Sequence, residues 1–254
     1  MKTIFAMLLS FFGFVCTPAI SKSNLFFSNA DLPQGINESG RLNWVLAFVP
    51  HGYFRSVLVD KNIVTNRDST HDKYCGDSAI FLSGGFFDPD RNPEGLLIEN
   101  GTEAVEYADH YKSGGVMYLL GGTVSFIKVG LVPPYGAEFA LQSKPFLWEG
   151  GKVSAGQVED GYWDRISVGT ATLNGEFGLV VIGVFSEDRK ALRQHQFIDG
   201  ISEIERFVRL EISWLLNLDG ANTAFLRIPS AGIFHGLAEP QYIPSALCIS
   251  MKQN

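Results

Sequence analysis

Short apolar and β-branched runs recur along the chain, at 43–49, 55–60, 79–83, 95–98, 116–120, 124–129, 165–170, 178–184 and 223–228, most of them bounded by Gly, Pro, Asn or Asp. Runs of that length closed by turn formers predict strands. Gly121-Gly122 joins two of them and reads as a hairpin turn. Between 197 and 212 the period changes. Ile201, Ile204, Val208 and Ile212 recur at three and four residues, while Glu203, Glu205, Arg206 and Arg209 fall off that stripe. This predicts an amphipathic helix with Asp199 as its N-cap, leading almost directly into another strand. Residues 22–40 read as an irregular segment and 61–76 as a polar loop holding Cys75. The expected fold class is α+β: a strand-rich single domain over residues 22–254, with a twisted, mainly antiparallel sheet and a few helices.

The pattern breaks most sharply at 215–225, Leu-Leu-Asn-Leu-Asp-Gly-Ala-Asn-Thr-Ala-Phe. An apolar strand ends there in Asn217, Asp219 and Gly220. A buried carboxylate stripped of its partner costs ~3–5 kcal/mol, so an aspartate in this setting belongs at a strand end, on the rim of a cleft. Residues 79–88, Ala-Ile-Phe-Leu-Ser-Gly-Gly-Phe-Phe-Asp, repeat the plan, with an apolar strand, flexible residues and then Asp88. Taken singly, Asp88-Pro89 and Asp219-Gly220 are also ordinary turn sequences.

With 254 residues and 46% hydrophobic content, the chain can bury a large core. The formal charge is −7, and no block of Lys or Arg exceeds two adjacent residues, which argues against a nucleic-acid partner. Met-Lys-Thr, an apolar run from Ile4 to Val15 and then Thr-Pro-Ala-Ile-Ser have the order of a signal peptide, residues 1–21, removed after Ser21. That run is shorter than the ~20 residues of a membrane span, and the mature chain is expected to be exported, periplasmic or secreted, without a span. Beyond the leader, Cys75 and Cys248 remain. Both a bridge and two separate thiols stay open, and a core of this size favours the thiols. No ligand spacing demands zinc, a divalent cation or any other cofactor, and the five histidines are scattered.

Four segments in order carry a resemblance: Ser83-Gly-Gly-Phe-Phe-Asp88, Gln142-Ser-Lys-Pro-Phe-Leu147, Arg165-Ile-Ser-Val-Gly169 and Asn217-Leu-Asp-Gly220. Together they resemble the phosphodiester glycosidase family, over roughly residues 79–228. The resemblance implies a glycosidase that cleaves the sugar–phosphate bond of a glycosyl-1-phosphodiester, with a carbohydrate or sugar-phosphate as its partner. It implies Asp219, Asp88 and Arg165 as catalytic residues, and Gln142, Ser143, Asn217, Gly85, Gly220 and Thr223 as substrate-binding ones. Phosphate is an acidic leaving group that needs little protonation, so positive charge on it matters more, and Arg165 could clamp its oxygens. Arg165 beside Trp163-Asp164 could equally be an ion-pair residue, and Asn217 could simply brace the Asp219 turn. Two departures stand out. Ser83 takes the place of an asparagine, and Ala221-Asn222 the place of a glycine pair. Asn222 tolerates positive φ better than most residues and could preserve the turn. The alternative function is a non-catalytic carbohydrate- or sugar-phosphate-binding protein on the same fold.

Overall fold

Strands β2 (Leu42–Pro50) and β13 (Glu176–Ser186) explain why their sequences are apolar without alternation: the sheet they share is covered on both faces. Val45, Ala47 and Val49 enter a core contributed by all three sheets of the fold, whereas Trp44, Leu46 and Phe48 face the other way. Leu179 and Val181 against Val180 and Ile182 divide in the same manner. The computed structural model describes residues 25–29, 31–37, 40–51, 54–65, 75–76, 79–111, 113–154, 161–236 and 241–251. The leader expected at 1–21 lies outside them.

The largest sheet has seven strands in the order β1 (Leu25–Ser28), β2, β13, β12 (Arg165–Leu173), β14 (Leu210–Asn217), β10 (Phe146–Glu149) and β11 (Lys152–Val153). A five-stranded sheet runs β16 (Ile233–Gly236), β15 (Phe225–Ile228), β4 (Ala79–Ser83), β17 (Gln241–Met251) and β3 (Phe54–Thr65). The third, also five-stranded, runs β6 (Thr102–Val105), β5 (Leu97–Glu99), β9 (Phe139–Ser143), β7 (Gly115–Leu120) and β8 (Thr123–Lys128). Pairing is antiparallel throughout. Among the described residues one α-helix occurs, α1 (Gln194–Val208). The expected α+β class with a few helices is therefore corrected to a mostly-β fold of three antiparallel sheets. The reason is strand number: open sheets rarely exceed ~10 strands before splitting, and the seventeen strands among the described residues need several sheets that cover one another. All nine apolar runs overlap strands, but residues 25–28 and 61–65, read as irregular, are paired as well.

Helix α1 begins earlier than its apolar stripe suggested. Arg193 is the N-cap residue and its N–H donates to Gln196 Oε1 at 3.1 Å, which places Asp199 inside the helix. Phe197, Gly200, Ile201 and Ile204 form the buried face. Arg209 adopts a left-handed conformation, φ 58°, which ends the helix, so Ile212 belongs to β14. The Trp44 ring stacks on Phe197 at 5.6 Å and lies over Gly200. At the Gly121-Gly122 hairpin both φ values are positive, 57° and 76°, the geometry of a tight two-residue turn.

Cys75 and Cys248 are joined in a disulfide, which overturns the reading as two separate thiols. Cys248 sits on β17 opposite Phe81 of β4, and Cys75 precedes β4 and packs beside Phe81 and Phe225. Sheet pairing, not core size, brings together residues 173 positions apart.

A methyl group at Gly200 would fall 2.5 Å from the Trp44 indole. Alanine in a helix interior ordinarily gains ~1 kcal/mol over glycine, yet overpacking costs ~1–3 kcal/mol. Gly200→Ala is therefore expected to lower stability in urea denaturation; a gain would show that the helix and Trp44 are not in this contact.

Candidate active-site cleft

Strand β14 ends at Asn217, and four backbone N–H groups from there to Ala221 donate to three other segments of the chain. Asn217 N donates to Pro145 O at 3.0 Å, Leu218 N to Ile166 O at 2.9 Å, Asp219 N to Gly84 O at 2.9 Å and Ala221 N to Asp164 O at 3.0 Å. Side chains repeat the stitching: Ser143 Oγ donates to Asn217 O at 2.6 Å, Ser83 Oγ to Asp219 O at 3.2 Å, and Asn217 Nδ2 to Lys144 O at 3.1 Å. The four segments singled out in the sequence thus meet at one place. Ser83 is buried and holds the backbone of Asp219. Gly220 is required by close approach, because a Cβ there would lie 2.6 Å from Asp164 O. The left-handed residue of the turn is Ala221, φ 56°, and not Asn222. For a residue with a Cβ this costs ~1–2 kcal/mol, supplied by the surrounding hydrogen bonds.

A cavity of about 230 Å³ opens beside this loop, lined by Phe86, Trp163, Arg165, Asn217, Asp219 and Ala221 among others. Asp219, Arg165, Asn217 and Gly220 of the expected set share it. Asp219 is half-buried, and Thr223 Oγ1 donates to its Oδ2. Arg165 is only 3% exposed, with Nε donating to Leu192 O at 2.8 Å and Nη2 to Gly161 O at 3.0 Å.

The remaining expected residues lie around the cavity rather than in its lining. Both Asp88 carboxylate oxygens are occupied by Asn92, through its N at 2.9 Å and its Nδ2 at 3.1 Å. These bonds, the side-chain one first, hold the Asp88 carboxyl below its ordinary range and close the turn after Phe87. Gln142 is fully buried, its Oε1 accepting from Leu96 N at 2.8 Å and Ala108 N at 2.9 Å, and its Nε2 donating to Ala108 O at 2.9 Å. Gly85 lies against Gln142 O, where a Cβ would sit at 2.9 Å. The loop over 84–96 is thereby fastened to β9.

Two groups were not read as functional in the sequence. Asp164 is fully buried, its Oδ1 accepting from Ser186 N at 2.9 Å and Ser186 Oγ at 3.3 Å, while Arg189 Nη1 stands 3.6 Å from Oδ2, beyond hydrogen-bond length. Burial outweighs these partners and pushes its carboxyl up to about 6. Tyr111 is buried, and its hydroxyl donates to Glu94 O at 3.2 Å and Oε2 at 3.3 Å. Burial first, then the charges of Glu94 and Asp219, push the phenol upward, so it stays neutral. Lys144 Nζ lies 4.0 Å from the centre of that ring and 5.6 Å from that of the cavity-lining Phe86, which sets Tyr111 beside the cleft. Only its place next to Arg165 could have flagged Asp164, and nothing local marks Tyr111.

Neither a protein-family model nor a curated protein matches the sequence. Solved structures do share its fold. The catalytic domain of zebrafish N-acetylglucosamine-1-phosphodiester alpha-N-acetylglucosaminidase, auto-inhibited by its pro-peptide, is similar with a TM-score of 0.60 at 15% identity, over 91% of this chain and 83% of that one. A Burkholderia pseudomallei chain described as "Putative exported protein" is similar with a TM-score of 0.51 at 8% identity, over 82% and 74%. At these identities the likeness is one of fold.

Asp164 gives a pH signature with a fixed sign. Its folded-state pKa stands above the unfolded one, so the folded state keeps a proton that the unfolded chain has released. Its contribution is fullest below pH ~4 and is lost as pH rises through about 6. Relative to wild type, Asp164→Asn should gain stability between pH 4 and 7, by up to about 3 kcal/mol. Denaturation at several pH values checks this, and a difference independent of pH would contradict it.

Proposed function

We propose that this chain is an exported hydrolase of glycosyl-1-phosphodiesters, acting through Asp219. The observation that carries the reading is the convergence of Asp219, Arg165 and Asn217 on one cavity, from elements far apart in sequence, in a fold shared with a phosphodiester glycosidase. Asp219 would activate water toward the anomeric carbon or attack it directly. Asn217 and Thr223 hold the loop and carboxylate in place. Arg165, fixed by two backbone carbonyls, supplies positive potential beside the departing phosphate. Asp88 would order the Phe86-bearing loop, leaving that ring to meet the sugar. Export is supported by the order of residues 1–21 and by the exported character ascribed to the Burkholderia chain. No helix of the described residues is long and apolar enough to cross a membrane.

Ordinary glycosidases use two carboxyl groups, one of them an acid for the leaving oxygen. Of the carboxylates lining this cavity, Asp164 is fully buried, which leaves Asp219 as the one that can meet a substrate. That arrangement suits a leaving group that needs no acid, and phosphate is one. It also favours the second reading, a sugar-phosphate-binding protein without turnover, which the same assay separates. Purified mature protein should release sugar from a glycosyl phosphodiester, and Asp219→Asn, close in shape, should slow release by roughly 10²–10⁴-fold. A folded wild-type protein inert toward a panel of such diesters, or a variant with undiminished turnover, would remove the hydrolase assignment.

A further inference from the structure

Lys144 lies in the segment Gln142-Ser-Lys-Pro-Phe-Leu147 and occupies the turn between β9 and β10. Its own carbonyl accepts from Asn217 Nδ2 at 3.1 Å, and the next carbonyl, Pro145 O, accepts from Asn217 N at 3.0 Å. The backbone of Lys144 is thus pinned directly to the loop that carries Asp219. Its half-buried side chain holds Nζ 4.0 Å from the centre of the Tyr111 ring and 5.6 Å from that of Phe86. Phe86 lines the cavity, so the ammonium flanks the cleft on that side. Among the described residues no ion pair gives Lys144 a carboxylate partner. Two uncharged ring faces hold the cation without neutralising it. Arg165 differs: it is nearly inaccessible and spends N–H groups on Leu192 and Gly161.

We propose that Lys144 is the anion-binding residue of this cleft, receiving the phosphate of a sugar phosphate while Asp219 faces the sugar. This deepens the glycosyl phosphodiester reading and rests on it for the identity of the ligand. Arg165 then adds positive potential from the base of the site, fixed by its backbone contacts, without itself gripping the oxygens. A lysine suits the task because a point charge on a flexible stem follows a phosphate that moves as it departs, without the fixed fork of a guanidinium. The fixed Tyr111 hydroxyl, donated to Glu94, keeps the ring face under the ammonium.

The test is calorimetric titration of the mature protein with glucose 1-phosphate and, separately, with glucose, for wild type, Lys144→Met and Lys144→Arg. Methionine keeps an apolar stem over the two rings, and circular dichroism melts check that each variant is folded. Wild type should bind the phosphorylated sugar more tightly than glucose, and that preference should weaken as salt rises. Lys144→Met should lose about 10-fold or more in affinity for the phosphorylated sugar and lose the salt dependence, while Lys144→Arg should restore most of both. An unchanged affinity in folded Lys144→Met, or a wild type that does not distinguish the two sugars, overturns the proposal. Lys144-dependent binding without any diester turnover would sustain it while sinking the hydrolase reading.

Discussion

Four backbone N–H groups between Asn217 and Ala221 hold this molecule's working end together. As β14 leaves its sheet, its peptide groups lose their ladder partners, and buried peptide groups must find others. They find Pro145 after β9 of the third sheet, Ile166 in β12 of the first, Gly84 after β4 of the second, and Asp164 ahead of β12. One short loop therefore reads the relative positions of all three sheets. The Asp219 carboxylate is where it is because those sheets pack as they do, around the common core of Val45, Ile80, Leu97, Val168 and Leu247.

This constraint accounts for residue choices that chemistry alone would not. Gly220 is there because Asp164 O is too near for a Cβ. Ser83 fits its place because its hydroxyl donates to Asp219 O, the contact the loop makes there. Ala221 tolerates a left-handed backbone because its N–H is already committed to Asp164 O. Electrostatics follow from the same packing. Asp164 is driven fully inside and keeps its proton more readily than a free carboxyl, whereas Asp219, half-buried at the loop, remains the carboxylate that faces the cavity.

Much of this was legible in the sequence, in a particular way. Apolar runs ended by turn formers mark strands because the signal is local, and all nine overlapped strands. The break at Asp219 was visible for the same reason: a carboxylate at the end of an apolar run is a local anomaly. What escaped depends on distance. Division into three sheets, the bond between Cys75 and Cys248 and the burial of Asp164 are set by partners remote in sequence. Strand β17 carries Pro244, Ser245 and Ser250 among its apolar residues and shows no clean run, yet it is an interior strand of its sheet, paired with both β4 and β3. The helix start at Gln194 was hidden because Phe197 and Gly200 serve Trp44, a residue of β2. Of the expected site, the residues at strand ends came together, while Gln142 and Asp88 proved committed to fastening neighbouring turns.

The claim on which the rest depends is that the Asp219 loop is locked by backbone hydrogen bonds to separate sheets. Native-state amide hydrogen exchange followed residue by residue measures this directly. The account predicts that the amides of Asp219 and Ala221 exchange as slowly as sheet amides of β12 such as Val168, although they lie outside any strand. Exchange at the rate of an open, solvent-exposed turn would contradict it, because Asp219 would then have no fixed place beside Arg165 and Asn217.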